Sequence, residues 1–350
     1  MTLQNEPLTF ETLPQRIEDE AALEELLSRP SQALIDDFAK LDGDIILLGA
    51  AGKIGPTLAR LAKRAAPRKR IVGVARFSSP GVRKRIESCG VETIQCDLLD
   101  RESVARLPKL LNVVYMAGRK FGTSEDPALT WVMNAYVPAV VASEFRQSRI
   151  VAFSTLCVYP FASVLQQGWD ESVPLGPVGE YANSCIGRER AFQYGSRAWG
   201  TPGRLIRLNY AIDMRYGVLL DIARWVMAGQ AIPIETGHAN LIWQGDADSH
   251  ILRSLVHCTS PTTPLNVGAP ELASVRAVAE EFGQRLGKKP AYRGVEQELA
   301  WVNNTFQAQR LFGHPVVPLA KMIDWVADWV LRGRPVYDRP TRYEVRDGLF

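Results

Sequence analysis

The stretch Asp44-Ile45-Ile46-Leu47-Leu48-Gly49-Ala50-Ala51-Gly52-Lys53-Ile54-Gly55 constrains the fold more than any other part of the chain. Ile45 to Leu48 form an apolar run of strand length, glycines recur at 49, 52 and 55, and Ile54, Leu58 and Leu61 then share one helical face. That order predicts a buried strand, a tight turn and a helix start. Glycine suits such a turn because it lets backbone amides approach a pyrophosphate, while the helix amino terminus adds partial positive charge. An ordinary strand-to-helix turn of an α/β domain is the alternative. The strand before the glycines and the helix after them favour dinucleotide binding.

The alternation continues downstream. Arg70 to Ala75 reads as a second strand ending at Arg76-Phe77-Ser78. A dinucleotide fold reads the adenosine ribose at this position, with an acid for the hydroxyls or an arginine for a 2′-phosphate. No acid stands here, so Arg76 favours NADP over NAD unless it merely faces solvent. Val91 to Cys96 gives a third strand leading to Asp97-Leu98, where Asp97 either accepts from an adenine amino group or caps a helix. The fourth strand, Asn112 to Gly118, ends in Ala117 and Gly118, small enough to let the backbone pass close to a ligand, and Arg119, Lys120, Phe121 and Gly122 follow in a loop. A helix over 127–145 carries Asn134 in its middle, where an amide has poor propensity and often a bonding duty. A fifth strand, 149–153, delivers Ser154 to Tyr159 at its carboxyl end, where ligands of open α/β sheets bind. After a loop rich in glycine, proline and acids, a helix starts near Glu180 and carries Tyr181, Cys185 and Arg188.

With 350 residues, the chain has room for one large domain or a core and a smaller lobe. A net charge of +3, with no basic stripe interleaved with aromatics, gives no nucleic-acid partner. No apolar run is long enough to span a bilayer, and the start lacks a secretory signal, so a cytoplasmic location without membrane attachment is expected. Five scattered cysteines fit a reducing compartment, and the four histidines form no zinc set, so no metal is expected. The leader, Pro14 to Leu41, predicts two short helices broken at Pro30 and packed outside the first strand. They would cover a sheet edge or a partner subunit, which leaves a homodimer open.

The glycine turn, Asp97-Leu98, Ala117-Gly118, Asn134, the Ser154-Thr155 to Val158-Tyr159 segment and the helix-borne Tyr181 together resemble an extended short-chain dehydrogenase/reductase. More narrowly, the chain resembles the NAD-dependent epimerase/dehydratase family of sugar-modifying enzymes, over roughly residues 43 to 330. Downstream, Arg207-Leu208-Asn209-Tyr210, Asn240 to Ala247 and Leu265-Asn266-Val267-Gly268 continue the likeness. The resemblance implies an α/β, doubly wound parallel-sheet Rossmann fold with a smaller, mostly helical carboxyl-terminal substrate lobe. Its parts are a helical extension at 1–42, an NAD(P)-binding domain at 43–210 with later strands from about 240–268, and a lobe and tail at 211–350. Cofactor contacts fall on Gly49, Gly52, Lys53, Ile54, Gly55, Arg76, Asp97, Leu98, Ala117, Gly118, Lys120, Asn134 and Arg188.

In that family a serine or threonine orients the substrate oxygen, a tyrosine exchanges its proton, and a lysine one turn later lowers the tyrosine pKa. By position these are Thr155, Tyr181 and Cys185. A thiol supplies no positive charge, so the usual proton relay lacks its cation. Arg188, on the same helical face, and Lys120, in a loop reaching the same mouth, are the stand-ins. The expected activity is that of an NAD(P)-dependent oxidoreductase or epimerase/dehydratase acting on a hydroxyl of a carbohydrate-like small molecule. A catalytically inactive NADP(H)-binding regulator is the alternative, favoured by Cys185 and opposed by the retained Thr155 and Tyr181. A reactive Cys157–Cys185 pair is a third reading. The lobe predicts helices at 214–229, 274–287, 301–312 and 317–331 with its tryptophans in the core. Arg215-Tyr216-Gly217 could grip a carboxylate or phosphate, and the tail from Arg334 wraps the lobe or a neighbouring subunit.

Overall fold

The structure is a computed structural model that describes residues 6–349. Seven strands, β1 (Ile45–Leu48), β2 (Ile71–Ala75), β3 (Glu92–Gln95), β4 (Asn112–Tyr115), β5 (Arg149–Thr155), β6 (Gly203–Leu208) and β7 (Thr263–Val267), form one parallel sheet. Its order is β7-β6-β5-β4-β1-β2-β3. Ile45 to Leu48 are buried without exception, which is why they read as a continuous apolar run instead of an alternating one. The order reverses between β1 and β4, the crevice where sheets of this kind hold ligands.

The glycine turn sits over that crevice. Gly49 has φ +96°, and a Cβ on it would stand 2.6 Å from the backbone nitrogen of Ala117 beyond β4. At Gly55, the first residue of its helix, a Cβ would lie 2.1 Å from the Ala50 carbonyl oxygen. Both positions therefore exclude a side chain by space alone.

Helices α1 (Glu20–Leu27) and α2 (Gln32–Lys40) begin at Asp19 and Ser31, whose side chains accept from backbone amides three residues on. They cover a face of the molecule instead of a sheet edge. Leu34 and Phe38 join Ile45 and Leu58 beneath the sheet, whereas Leu23, Leu26 and Leu27 join the lobe core around Trp243, Trp325 and Trp329. The leader is thus a brace between two cores. In the lobe, Val218–Ala228, Val275–Leu286 and Leu319–Leu331 are helical, and the tryptophans just named are core.

Three expectations need correction. Strand His238–Trp243 leaves the main sheet and pairs with Tyr210–Ile212 and Leu272–Ser274, so of the later strands only β7 joins the seven. At the branch point Asn209, just past the end of β6, bonds to Asn240 at 3.1 Å and Asn303 at 2.7 Å. Residues 301–305 are not helical. Asn303 is held in that same cluster, and the Asn304 side chain accepts from the Phe306 amide, so the helix begins at Phe306. The segment 127–145 is helical but interrupted, with a π turn over Val132–Tyr136.

Candidate active site

Two adjoining cavities open at the carboxyl ends of the strands. One, of about 700 Å³, runs along Gly49, Gly52, Lys53, Ile54 and Gly55. The other, of about 290 Å³, is lined by Thr155, Tyr181, Gly118, Lys120 and Arg188 and shares Lys53, Ile54, Met116, Phe153 and Tyr216 with the first.

β5 carries Thr155 to this mouth, and the helix Gly179–Trp199 carries Tyr181. The two side chains share a hydrogen bond, and Thr155 Oγ1 also accepts from the Cys157 amide at 3.2 Å. Burial raises the Tyr181 pKa well above its ordinary value of 10, and the thiols of Cys185 and Cys157 add to the rise. The Arg188 charge and the Thr155 bond pull the other way without prevailing. Cys185 sits behind the tyrosine among Val158 and Tyr159, fully buried, and burial pushes its thiol up to about 11. Cys157 is raised by burial too. Both thiols are neutral at physiological pH, which removes the thiolate a reactive pair needs.

Arg188 is buried and spans the site. Nη1 donates to the Phe153 carbonyl at 3.0 Å and Nη2 to Asn134 Oδ1 at 2.7 Å, while Nε has no partner among the described residues. Gly118 makes room for it, since a Cβ there would fall 2.3 Å from Arg188 Nη2. Asn134 stands in the π turn with every bonding capacity used. It accepts from the Arg119 amide at 2.8 Å and from Arg188, and donates to the Arg119 carbonyl at 2.8 Å and Ser184 Oγ at 2.9 Å. Its expected cofactor contact is therefore corrected: its side chain pins the loop after β4 to the Tyr181 helix and has nothing left for a ligand.

The other expected residues divide by place. Leu98 packs its side chain in the core with Val104 and Val113, so it presents no side chain to a ligand. Asp97 accepts from the Leu99 amide at 3.0 Å. Ala117 lies beneath Gly49. Arg76 is exposed just past the end of β2 and lines neither cavity. Lys53 turns inward, its Nζ 4.3 Å from the centre of the Tyr216 ring. Burial pulls its pKa down to about 8 against the carboxylates of Asp213 and Asp248. Burial lowers Lys120 as well.

A buried chain of polar groups fixes the Tyr181 helix to β5 and β6. Ser154 Oγ donates to Glu189 at 2.6 Å, Arg207 grips both Glu189 oxygens at 2.9 and 2.8 Å, and Arg207 Nη1 donates to the Tyr159 hydroxyl at 2.7 Å. Arg215 is corrected as an anion grip. Its guanidinium is spent on Asp213 at 2.8 Å and Glu24 at 2.7 Å. Sequence reasoning missed Tyr210, Thr341, Arg342 and Tyr343, which also line the smaller cavity. No spacing motif marks them, because the tail reaches the site only through the fold. Among the described residues no group of three or more His, Cys, Asp or Glu is placed to hold a metal ion, and no helix is long and apolar enough to cross a membrane.

Residues 45–211 match the sequence model of the NAD dependent epimerase/dehydratase family. No curated protein matches the chain. Among solved structures, UDP-glucose 4-epimerase of Thermus thermophilus in complex with NAD is 20% identical at a TM-score of 0.66, over 81% of this chain and 98% of that one. DesIV, the dTDP-glucose 4,6-dehydratase of Streptomyces venezuelae with NAD and TYD bound, is 18% identical at 0.69, over 83% and 97%. Pal from Bacillus thuringiensis is 17% identical at 0.69, over 83% and 100%. These likenesses establish the fold.

Proposed function

Starting from a chain whose residues 45–211 match the model of the NAD dependent epimerase/dehydratase family, we propose that it is an NAD(P)-dependent oxidoreductase or epimerase/dehydratase acting on a hydroxyl-bearing carbon of a sugar-like small molecule. The observation that carries the reading is the hydrogen-bonded Thr155–Tyr181 pair in a cavity continuous with the glycine turn. A pure binder needs neither hydroxyl there. The fit to a dinucleotide rests on the turn itself, where Gly49 leaves no room for a Cβ and Gly52, Lys53 and Ile54 face the larger cavity. Bound along it, the nicotinamide would supply the hydride acceptor and donor. Thr155 orients the substrate oxygen, Tyr181 exchanges its proton, and Arg188 holds the Phe153 carbonyl and the Asn134 loop in place around them.

Exposed Arg76 at the end of β2, with no acid beside it, supports NADP over NAD. The family and the NAD-bound neighbours support NAD. Calorimetric titration with NADP+, NADPH, NAD+ and NADH, repeated with Arg76→Ala, separates the two. A selective loss of NADP(H) affinity in the variant supports Arg76 as the phosphate reader, and equal NAD(H) binding in both proteins removes that role. Turnover is then tested on sugars, sugar acids and polyols against Tyr181→Phe, with product analysis for epimerisation.

A second reading, a non-catalytic NADP(H)-binding regulator, is favoured by one observation: burial keeps both Tyr181 and Cys185 protonated, with Cys185 standing where the family carries its lysine. Dinucleotide binding without turnover on the whole panel would select it. Five free cysteines support a reducing, cytoplasmic setting. A homodimer is part of the proposal, because Trp131, Val132 and Tyr136 on one helical segment and Tyr194 and Trp199 on the helix packed against it all expose large apolar side chains. Sedimentation of the wild type and of Tyr136→Glu tests it, with a monomeric wild type counting against it.

A further inference from the structure

The smaller cavity is lined by five cationic side chains, Lys53, Arg119, Lys120, Arg188 and Arg342, and by no carboxylate. The nearest acids lie behind its wall, and of these Glu344 acts on Lys120 and keeps one buried carboxyl oxygen without a hydrogen-bond partner among the described residues, while the other three are engaged elsewhere. Asp213 is held by Arg215, Asp248 accepts from Thr57, and Asp221 accepts from the Thr341 amide and hydroxyl. Lys53 keeps an ammonium group there with a ring contact and no hydrogen bond among the described residues, and burial pulls its pKa down to about 8. Arg342 presents its guanidinium at the rim on a backbone with φ +55°, a conformation rare for a residue with a side chain, and that guanidinium too has no bonding partner among the described residues.

Such a wall repels an oxidised nicotinamide ring, which is itself a cation. Negative charge from the other occupant would balance it. The cavity also limits that occupant. At about 290 Å³ it is at the small end of ligand pockets, and Thr341, Arg342 and Tyr343 wall it on the side of the lobe. Tyr343 is buried against the lobe core beside Trp225, and the tail runs on to Gly348, packed against Gly179 at the start of the Tyr181 helix. Within the cavity this leaves room, beside a nicotinamide, for one sugar-sized unit.

Resting on the proposed dinucleotide-dependent reading, we infer that the substrate is an anionic monosaccharide, a sugar acid or sugar phosphate without a nucleotide, whose charged group is held by Lys120 and Arg342 while its hydroxyl meets Thr155 and Tyr181. The step balances within the named partners. The substrate carbon would lose a hydride to the oxidised dinucleotide and its hydroxyl would lose its proton to Tyr181 in the phenolate form, leaving a carbonyl and a protonated Tyr181.

The test titrates the full-length protein with NAD+ and NADP+, then titrates the complex with glucuronate, galacturonate, mannuronate, the corresponding hexose 6-phosphates, the parent hexoses and UDP-glucose. The expected result is a uronate or a 6-phosphate bound about ten-fold or more tighter than its neutral parent and than UDP-glucose, since one retained charge pair amounts to that factor. The two anionic arms distinguish carboxylate from phosphate. Arg342→Gln and Lys120→Gln are each expected to lower that preference about five-fold or more, with Arg342→Gln leaving dinucleotide affinity unchanged. Anions bound no better than their parents, UDP-glucose bound best, or a preference untouched in both variants overturns the inference while the dinucleotide reading stands. Absence of dinucleotide binding overturns both.

Discussion

Tyr181 is a phenol that its surroundings hold in the protonated state. As an acid it can give a proton at neutral pH, whereas acting as a base requires the minor phenolate, whose fraction grows about ten-fold per pH unit below the pKa. Oxidative turnover is therefore expected to climb through the alkaline range without a plateau by about pH 10. Cys185→Lys places a cation one helical turn from the phenol and is expected to move that rise to lower pH. Cys185 is fully buried, so the longer side chain costs about 1–3 kcal/mol of stability by overpacking. An unchanged pH–rate profile in a folded Cys185→Lys protein would show that the missing charge is not what limits the tyrosine. A second pair of residues sets how stability responds to acid. Burial pulls His250 down to about 3 and pushes Asp246 up to about 7, four residues away on the same helix. The imidazole stays neutral in the fold, so its contribution is intact above 6.5 and is lost as pH falls towards 3, about 2 kcal/mol by pH 5. The carboxyl works oppositely: its contribution is fully present below about 4 and is lost as pH rises through 7. The two offset each other between, and His250→Phe, which removes only the first, is expected to gain stability relative to the wild type as pH drops from 7 to 5. Urea midpoints at both pH values check this, and parallel midpoints would contradict it.

Among the elements, the π turn at Val132–Tyr136 does the most for the site. Its extra residue aims Asn134 at three neighbours at once: the Arg119 loop, Ser184 and Arg188. Asn134→Leu keeps the volume and strands those groups in a buried setting, at about 1–3 kcal/mol for each that finds no new partner. A loss of at least about 2 kcal/mol is expected, together with faster amide exchange at Arg119, whose backbone N–H would lose its acceptor. Unchanged exchange there would mean the loop is held by something else. This turn also marks where reading from sequence stops. The buried strands were legible because Ile45 to Leu48 and Ile71 to Ala75 must be apolar on both faces, and the glycines because backbone would collide with a side chain at Gly49 and Gly55. Thr155 and Tyr181 were legible only through resemblance, as were the roles given to them. The direction of Asn134, the diversion of strand His238–Trp243 and the tail at the cavity depend on partners 15 or more residues away for the first two and on the packed lobe for the third, and no local period records such contacts.

At the scale of the molecule, the sheet and the lobe each have a core, and the chain ends join them. Arg64 of the nucleotide domain pairs with Glu25 at 2.9 Å, Trp325 of the lobe donates to the Pro14 carbonyl at 3.1 Å, and Arg215 ties the lobe to Glu24. The tail returns from the last helix to bond Arg215 through the Tyr337 amide at 2.9 Å and Asp221 through Thr341. With leader and tail bracing both bodies, opening one exposes apolar surface on the other, so the two are expected to unfold together. Four of the eight tryptophans, Trp225, Trp243, Trp325 and Trp329, pack in the lobe and weight the fluorescence towards it, with Trp131 and Trp199 on helices of the nucleotide domain, whereas far-ultraviolet circular dichroism reports on the whole chain. Coincident transitions by the two probes are the expected result for the wild type. Arg215→Ala removes the centre of the brace and leaves the buried Asp213 without its partner, a loss of about 3–5 kcal/mol. In that variant the fluorescence midpoint is expected to fall below the circular-dichroism midpoint, because the lobe loses its ion pair to α1 while the sheet keeps its own core. Separate transitions already in the wild type, or coincident ones that shift together in the variant, would mean that the coupling between the bodies runs through the sheet itself and that leader and tail only cover it.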